Sequence, residues 1–323
     1  MAPLVVDADP EHVALLRDPG LAVEGSDGET ITPLDAITPA SVADRSGGCD
    51  LLLLAVRWQA TEAALRPLLE RVAPDGDVVS LQNGLSCEKA AALAGVSRTI
   101  ACAVGFGATY VAAGRVRLDA EGPLTMGRLG VSEDAADGAG VEDDRGLARA
   151  CSVLGDAFRV RIAADVRSDL WSKMLTNSVT VLGAVGGMLL GEVLAPERRP
   201  LVRAVLAEGA SVAAASGITA RSVFGAPTAL VVDRSPGWEA AIDAACDKAA
   251  ARFGAVRSVT WRDIELGRPT EVGAVTGEIV SRGRRLGVAT PVNGEILGLL
   301  RSIEAGGLSP DAAHLTALMK GRR

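Results

Sequence analysis

The sequence predicts an α/β protein in two parts. Residues 1–164 form an N-terminal parallel-sheet domain that is incomplete at its start, and residues 165–323 an all-helical domain. Three observations carry this. The chain has 323 residues, a length suited to two domains rather than one. Up to about residue 164, apolar runs of strand length alternate with helical patterns. Beyond Asp165 the apolar residues recur at helix spacing almost to the end.

The elements follow in order. Leu4-Val5-Val6 is a short apolar strand ending at Asp7. Asp9-Pro10-Glu11 then opens a helix, with an N-cap acid, proline at the first helical position and an acid in the first turn. That helix stops near Gly20, and short strands at Leu21 to Val23 and Thr30 to Thr32 flank the Asp27-Gly28 turn. Leu51 to Val56 is an uninterrupted apolar run, as expected of a parallel strand buried on both faces. A helix from about Thr61 to Val72 is interrupted at Pro67. Pro74-Asp75-Gly76 reads as a turn and Val78 to Leu81 as the next strand, running into Gln82-Asn83-Gly84. Thr99 to Val104 is another strand. Gly107 to Gly127 alternates polar and apolar residues between glycines and reads as antiparallel, and the acidic stretch from Val131 to Arg145 as a loop. In the second part, helices are expected over Leu201 to about Gly217, Gly237 to Arg252, Glu271 to Leu286, Val292 to Ala305 and Pro310 to Lys320. Met174 to Gly191 carries no charge, but its four glycines and its Asn, Ser and Thr residues suit a helix buried in a domain core better than a membrane span.

Composition narrows the function. The net charge of −7 gives no basic footprint for nucleic acid. Five cysteines without a C-x-x-C pair suggest neither a disulfide framework nor a zinc site, and fit a reducing, cytoplasmic setting. Two histidines, His12 and His314, leave little material for a metal centre or a Ser-His-Asp triad, so no metal is expected. No signal peptide is visible at the N-terminus.

In a dinucleotide-binding βαβ unit the first strand runs into G-x-G-x-x-G and a helix, and an acidic residue ends the second strand. Leu4 to Asp7 has the character of that second strand. By this spacing roughly 20–25 residues would precede it. No other glycine cluster substitutes. Gly105-Phe106-Gly107 lacks the third glycine and a following helix, and Gly183, Gly186, Gly187 and Gly191 read as helix-packing glycines.

Three residues stand out chemically. Lys173, one of only four lysines, leads into the apolar helical stretch and shares a helix face with Asn177. A lysine half-buried at a cleft acquires a lowered pKa and serves as a proton donor. Asn83 ends a buried-type strand, where open α/β sheets present their ligand crevice. Glu271 follows Gly267-Arg268-Pro269-Thr270 and opens a helix. Taken singly, a snorkelling lysine, an Asn-Gly turn and a first-turn acid explain them as well.

Together, Asp50-Leu51 to Val56-Arg57, Gln82-Asn83-Gly84, Leu170-Trp171-Ser172-Lys173 with Asn177, and Gly267-Arg268-Pro269-Thr270-Glu271 resemble the ketopantoate reductases in order and interval. The resemblance runs from about Leu4 to Thr290-Pro291-Val292-Asn293. It implies a Rossmann domain followed by a helical domain, and NADP- or NAD-dependent reduction of a 2-oxoacid to the 2-hydroxyacid. It further implies that Lys173 protonates the carbonyl oxygen and that Glu271 binds a substrate hydroxyl and helps orient the lysine. Asp7, Arg57 and Asn83 would contact cofactor, and Asn83, Asn177 and Ser258 would contact substrate. Four departures qualify it. Arg57 replaces a lysine, and Val181 followed by Leu182 stands where a second asparagine is expected. Val259 occupies a serine position, with Ser258 adjacent, and Asp7-Ala8-Asp9 would repel a 2′-phosphate and so favours NAD. The expected partner is a small 2-oxoacid, with a homodimer left open and neither nucleic acid nor membrane involved. A related reductase with another oxoacid, and a cofactor-deficient homologue with a binding or regulatory role, are the alternatives.

Overall fold

The structure is a computed structural model that describes residues 3–130, 144–223 and 225–320. Its N-terminal part opens with strand β1 (Leu4–Val6) and helix α1 (Pro10–Arg17), followed by strands β2 (Leu21–Gly25), β3 (Gly28–Thr32) and β4 (Asp35–Ile37). Asp9 caps α1 by accepting from the amides of Glu11 and His12, as its sequence predicts. Strand β5 (Cys49–Leu54) leads through a 3₁₀ turn at Trp58–Ala60 into helix α2 (Thr61–Leu65), which tightens into a 3₁₀ segment at Arg66–Arg71 where Pro67 intervenes. Strand β6 (Val72–Ser80), helix α3 (Ser86–Ala94) and strands β7 (Thr99–Val104), β8 (Gly107–Ala112), β9 (Arg115–Ala120) and β10 (Leu124–Arg128) follow. Helix α4 (Arg145–Gly155) and strand β11 (Val160–Ile162) complete this part.

The main sheet runs β11-β10-β7-β6-β5, with β5, β6 and β7 mutually parallel and β10 antiparallel to β7. β1 pairs in parallel with β4 as a separate two-stranded sheet, and β3-β2-β9-β8 form a third. The parallel strands and the antiparallel run after Gly107 are as expected; three details are not. Leu51 to Val56 was expected to be buried on both faces, yet β5 ends its sheet, and Leu53 on it is 40 % exposed. The Pro74-Asp75-Gly76 turn is a bulge inside β6, where the register jumps from Cys49↔Val72 to Leu51↔Asp77, so turn residues are accommodated without ending the strand. Of the expected loop from Val131 to Arg145, residues 131–143 lie outside the described residues, and Arg145 already begins α4.

The second part is helical, apart from a two-residue hairpin at Ser222–Val223 and Ala226–Pro227. Its central helix is α5 (Val166–Gly186), capped by Asp165 and closed by Gly187 in the left-handed conformation. Around it pack α6 (Leu190–Val193), α7 (Arg199–Ala215), α8 (Thr228–Val232), α9 (Trp238–Phe253), α10 (Val259–Glu265), α11 (Thr276–Leu286), α12 (Pro291–Glu304) and α13 (Ala312–Lys320). Trp171, Met174, Leu175, Val179 and Ala184 of α5 are completely buried, so this apolar stretch is the spine of the domain. None of the described helices is long and apolar enough to cross a membrane. The glycines after Leu182 let chains approach: Gly191 donates its amide to the Gly254 carbonyl at 2.9 Å, too close for side chains between them.

Candidate functional site

Helix α5 fixes Lys173 by burying the residues on either side of it. Leu170, Trp171 and Met174 are locked in the core, and the Ser172 hydroxyl donates to the Ser168 carbonyl while accepting from the Arg221 amide. Lys173 itself is half-buried, and among the described residues its Nζ has no hydrogen-bond partner. Burial lowers its pKa to about 8, opposed by the negative charge that Cys102 and Glu271 offer. Burial also pushes the Cys102 thiol up to about 12, so it is neutral near pH 7 and Glu271 is the counter-charge that matters there. Asn177, one turn along α5, is likewise half-buried; its backbone carbonyl accepts from the Thr180 hydroxyl, and its side chain makes no hydrogen bond among the described residues.

The strand-end motif Gln82-Asn83-Gly84 is built into the junction of the two parts. Gln82 Nε2 donates to the Val56 carbonyl at 2.7 Å and to Thr61 Oγ1 at 2.9 Å, tying the ends of β5 and β6 together. Gly84 has φ +65°, and a Cβ there would lie 2.1 Å from the carbonyl oxygen of Ala274 in the helical domain. Only glycine allows that approach. Between these two residues, Asn83 Nδ2 donates to Glu271 Oε2 at 2.9 Å, while the Trp58 amide reaches Oε1 at 3.4 Å. Glu271 does not open the long helix as expected. It precedes a 3₁₀ turn at Val272–Ala274, and α11 begins only at Thr276. The acid thus sits on a tight connection whose preceding amide, that of Thr270, is held by Glu304.

Lys173, Glu271 and Asn83 therefore form one cluster between the β6 strand end, α5 and the Glu271 turn. Arg57 is near it but directed elsewhere: its guanidinium grips Asp263 of α10 through two hydrogen bonds of 2.5 and 2.7 Å, and Asp263 is only 3 % exposed. Ser258 caps α10, its Oγ accepting from the Trp261 amide at 3.2 Å. Asp7 ends β1 as expected, with Oδ1 accepting from the Asp9 amide, and has no bond to the cluster. Where the resemblance expects polar groups, Val181 is buried in the core and Val259 is 58 % exposed. Three residues that sequence reasoning did not single out belong here: Asp263, Trp58 through its amide, and Gln59, whose side chain donates to the Thr270 carbonyl. Nothing local marks them, since their partners lie more than 200 residues away. A surface cavity of about 300 Å³ between Arg203, Glu208 and Trp238 touches none of the cluster.

Residues 2–130 match the family of ketopantoate reductases PanE/ApbA, and residues 165–304 match the C-terminal domain of the same family. The chain belongs to the ketopantoate reductase family. Among its relatives, the 2-dehydropantoate 2-reductase of Halobacterium salinarum is 30 % identical over 306 residues, covering 92 % of this chain and 89 % of that one. That of Vibrio cholerae is 26 % identical over 262 residues, covering 79 % and 78 %. The fold matches a PanE/ApbA family ketopantoate reductase from Ralstonia eutropha with a TM-score of 0.74 at 23 % identity, covering 94 % of this chain and 91 % of that one. It also matches a D-mandelate dehydrogenase solved with NADH and anilino(oxo)acetate, with a TM-score of 0.76 at 20 % identity and the same coverage. The expected architecture, a Rossmann-type N-terminal domain followed by a helical one, is the one this family shares.

A nicotinamide dinucleotide would present two ends to such a site, the reacting ring and the pyrophosphate. For its reacting end, Lys173 and Asn177 offer side-chain polar groups that make no hydrogen bond among the described residues, on one face of α5. The N-terminus of α1 is not a place for the pyrophosphate, because the amides that open it are taken by Asp9, whose charge repels an anion.

Proposed function

We propose that this chain catalyses the reduction of a small 2-oxoacid to its 2-hydroxyacid with a reduced nicotinamide dinucleotide, and that Lys173 is the acid. The observation that carries the proposal is Lys173 itself: a half-buried ammonium placed by Glu271, without a hydrogen-bond partner among the described residues, and with a pKa of about 8 that leaves roughly nine-tenths of it protonated at pH 7. As the carbonyl carbon is reduced, its oxygen becomes an alkoxide. Nζ both stabilises that charge and delivers the proton. The hydride is the one thing the bound nicotinamide supplies.

The other residues orient the substrate. Glu271, held by Asn83, accepts from a hydroxyl on the substrate tail and keeps Lys173 charged by proximity. Asn177 donates to the substrate carboxylate from the same helix face as Lys173. Asn83 divides its contacts between Glu271 and the cofactor, and Asp7 receives a ribose hydroxyl at the end of β1, a role that favours NAD over NADP. Arg57, assigned to the cofactor on the sequence, is engaged by Asp263, and Ser258 by its own helix; a cofactor or substrate contact from either needs that bond to be shared or broken.

Lys173→Ala tests the assignment. With 2-dehydropantoate and reduced nicotinamide dinucleotide, turnover is expected to fall by about 10²–10⁴-fold while the circular dichroism spectrum is retained. Turnover within a factor of a few of the unaltered protein refutes the role. The engagement of Arg57 by Asp263 favours a second reading, a homologue that binds the oxoacid without reducing it. A fluorescence titration with NADH and NADPH separates the two, since the nicotinamide signal changes only if the dinucleotide binds.

A further inference from the structure

We propose that Asp263 is a positioning residue for substrate recognition: by gripping Arg57 across the domain junction it fixes the carboxylate of Glu271. This rests on the proposed role of Glu271 as the acceptor of the substrate hydroxyl. Three consecutive residues of the N-terminal part, Arg57, Trp58 and Gln59, engage one short segment of the helical part, from Asp263 to Glu271. The contacts differ in strength. Arg57 and Asp263 form a two-pronged, charge-assisted pair, and Asp263 is nearly fully buried with no other side-chain partner among the described residues. The Trp58 amide meets Glu271 at 3.4 Å, a weak bond, and the Asn83 amide at 2.9 Å is a single one. The strong contact therefore sets the geometry and the weaker ones follow it, because Trp58 is covalently next to Arg57.

A buried carboxylate that loses the cation paired with it must find water or another donor, which pulls the end of α10 and the following turn out of place. The arginine at position 57 also gains a reason. A lysine there would keep the charge but could not present two parallel donors to both carboxylate oxygens.

The experiment compares two acids that differ by one hydroxyl, 2-dehydropantoate and 3,3-dimethyl-2-oxobutanoate, by calorimetric binding to the full chain and, where turnover is measurable, by kcat/KM. The unaltered protein is expected to prefer the hydroxylated acid by about tenfold or more. In Asp263→Asn the preference should collapse towards one, with affinity for the unhydroxylated acid changed less than about threefold. A purely structural role would weaken both acids alike, so retention of the full preference in Asp263→Asn overturns the proposal. Should Asp263→Asn fail to fold, Arg57→Lys decides: it keeps a cation opposite Asp263, and the preference is expected to fall severalfold, while an unchanged preference overturns the proposal. No preference in the unaltered protein is a different failure. It removes the assigned role of Glu271, and this inference with it.

Discussion

Replacing Gly84 with alanine perturbs the domain junction at its tightest point. Two costs add. A non-glycine residue at φ +65° pays the left-handed penalty of roughly 1–2 kcal/mol. The new Cβ would lie 2.1 Å from the Ala274 carbonyl oxygen and 3.0 Å from its carbon, roughly an ångström or more inside van der Waals contact. Both sides are backbone, so the relief is a shift of one domain against the other, an overpacking cost of about 1–3 kcal/mol. The sum, about 2–5 kcal/mol, lowers the melting temperature by roughly 3–7 °C in a chain of this size. Because Ala274 lies in the 3₁₀ turn that follows Glu271, the same shift lengthens the Asn83–Glu271 bond and weakens oxoacid binding. Differential scanning calorimetry and calorimetric titration with 2-dehydropantoate read the two effects. A melting temperature within about 1 °C of the unaltered protein, with unchanged affinity, would refute the reasoning.

Further outcomes follow from the same geometry. Asn83→Ala removes the 2.9 Å side-chain bond to Glu271 and is expected to lower kcat/KM about tenfold or more, with little loss of thermal stability because both groups are half-exposed; an unchanged kcat/KM contradicts the assignment. The Arg128 guanidinium, helped by the Leu147 amide, holds the Asp144 carboxyl below its ordinary value against the opposing effect of burial. That stability is fully present above the ordinary carboxylate value and is lost as pH falls through the depressed one. Melting temperatures should therefore drop below about pH 4, less so in Arg128→Ala once its own destabilisation is subtracted. Asp7→Ser should move the NADPH-to-NADH preference at least severalfold towards NADPH; an unmoved ratio places the ribose elsewhere.

Much of the fold was legible because local chemistry determines it. Asp9-Pro10 can only start a helix, Asp27-Gly28 turns a hairpin, and the uncharged run after Lys173 had to be interior. The missed elements have weak local signals. Helix α3 is built mainly of Ala, Cys and Ser, without a broad apolar stripe, and α4 emerges from an acidic, glycine-rich tract. The bulge in β6 misled because Pro-Asp-Gly marks a reversal in isolation, whereas here the ladder with β5 resumes on both sides. Lys173, Asn83 and Glu271 could be picked out by type, position and family resemblance, and the structure gathers them. Their supports could not. The partnership of Arg57 with Asp263 spans 206 positions, and no periodicity records it.

With only Lys89, Lys173, Lys248 and Lys320 in the chain, the ammonium groups can be followed one by one. Lysine labelled with ¹³C at Cε, titrated by NMR and assigned with Lys173→Arg, gives the most direct test of the proposed acid. One resonance, absent from that variant, should titrate near 8 and shift on addition of a 2-oxoacid. A Lys173 resonance that titrates at the ordinary lysine value of about 10.4 and ignores the oxoacid would contradict the account.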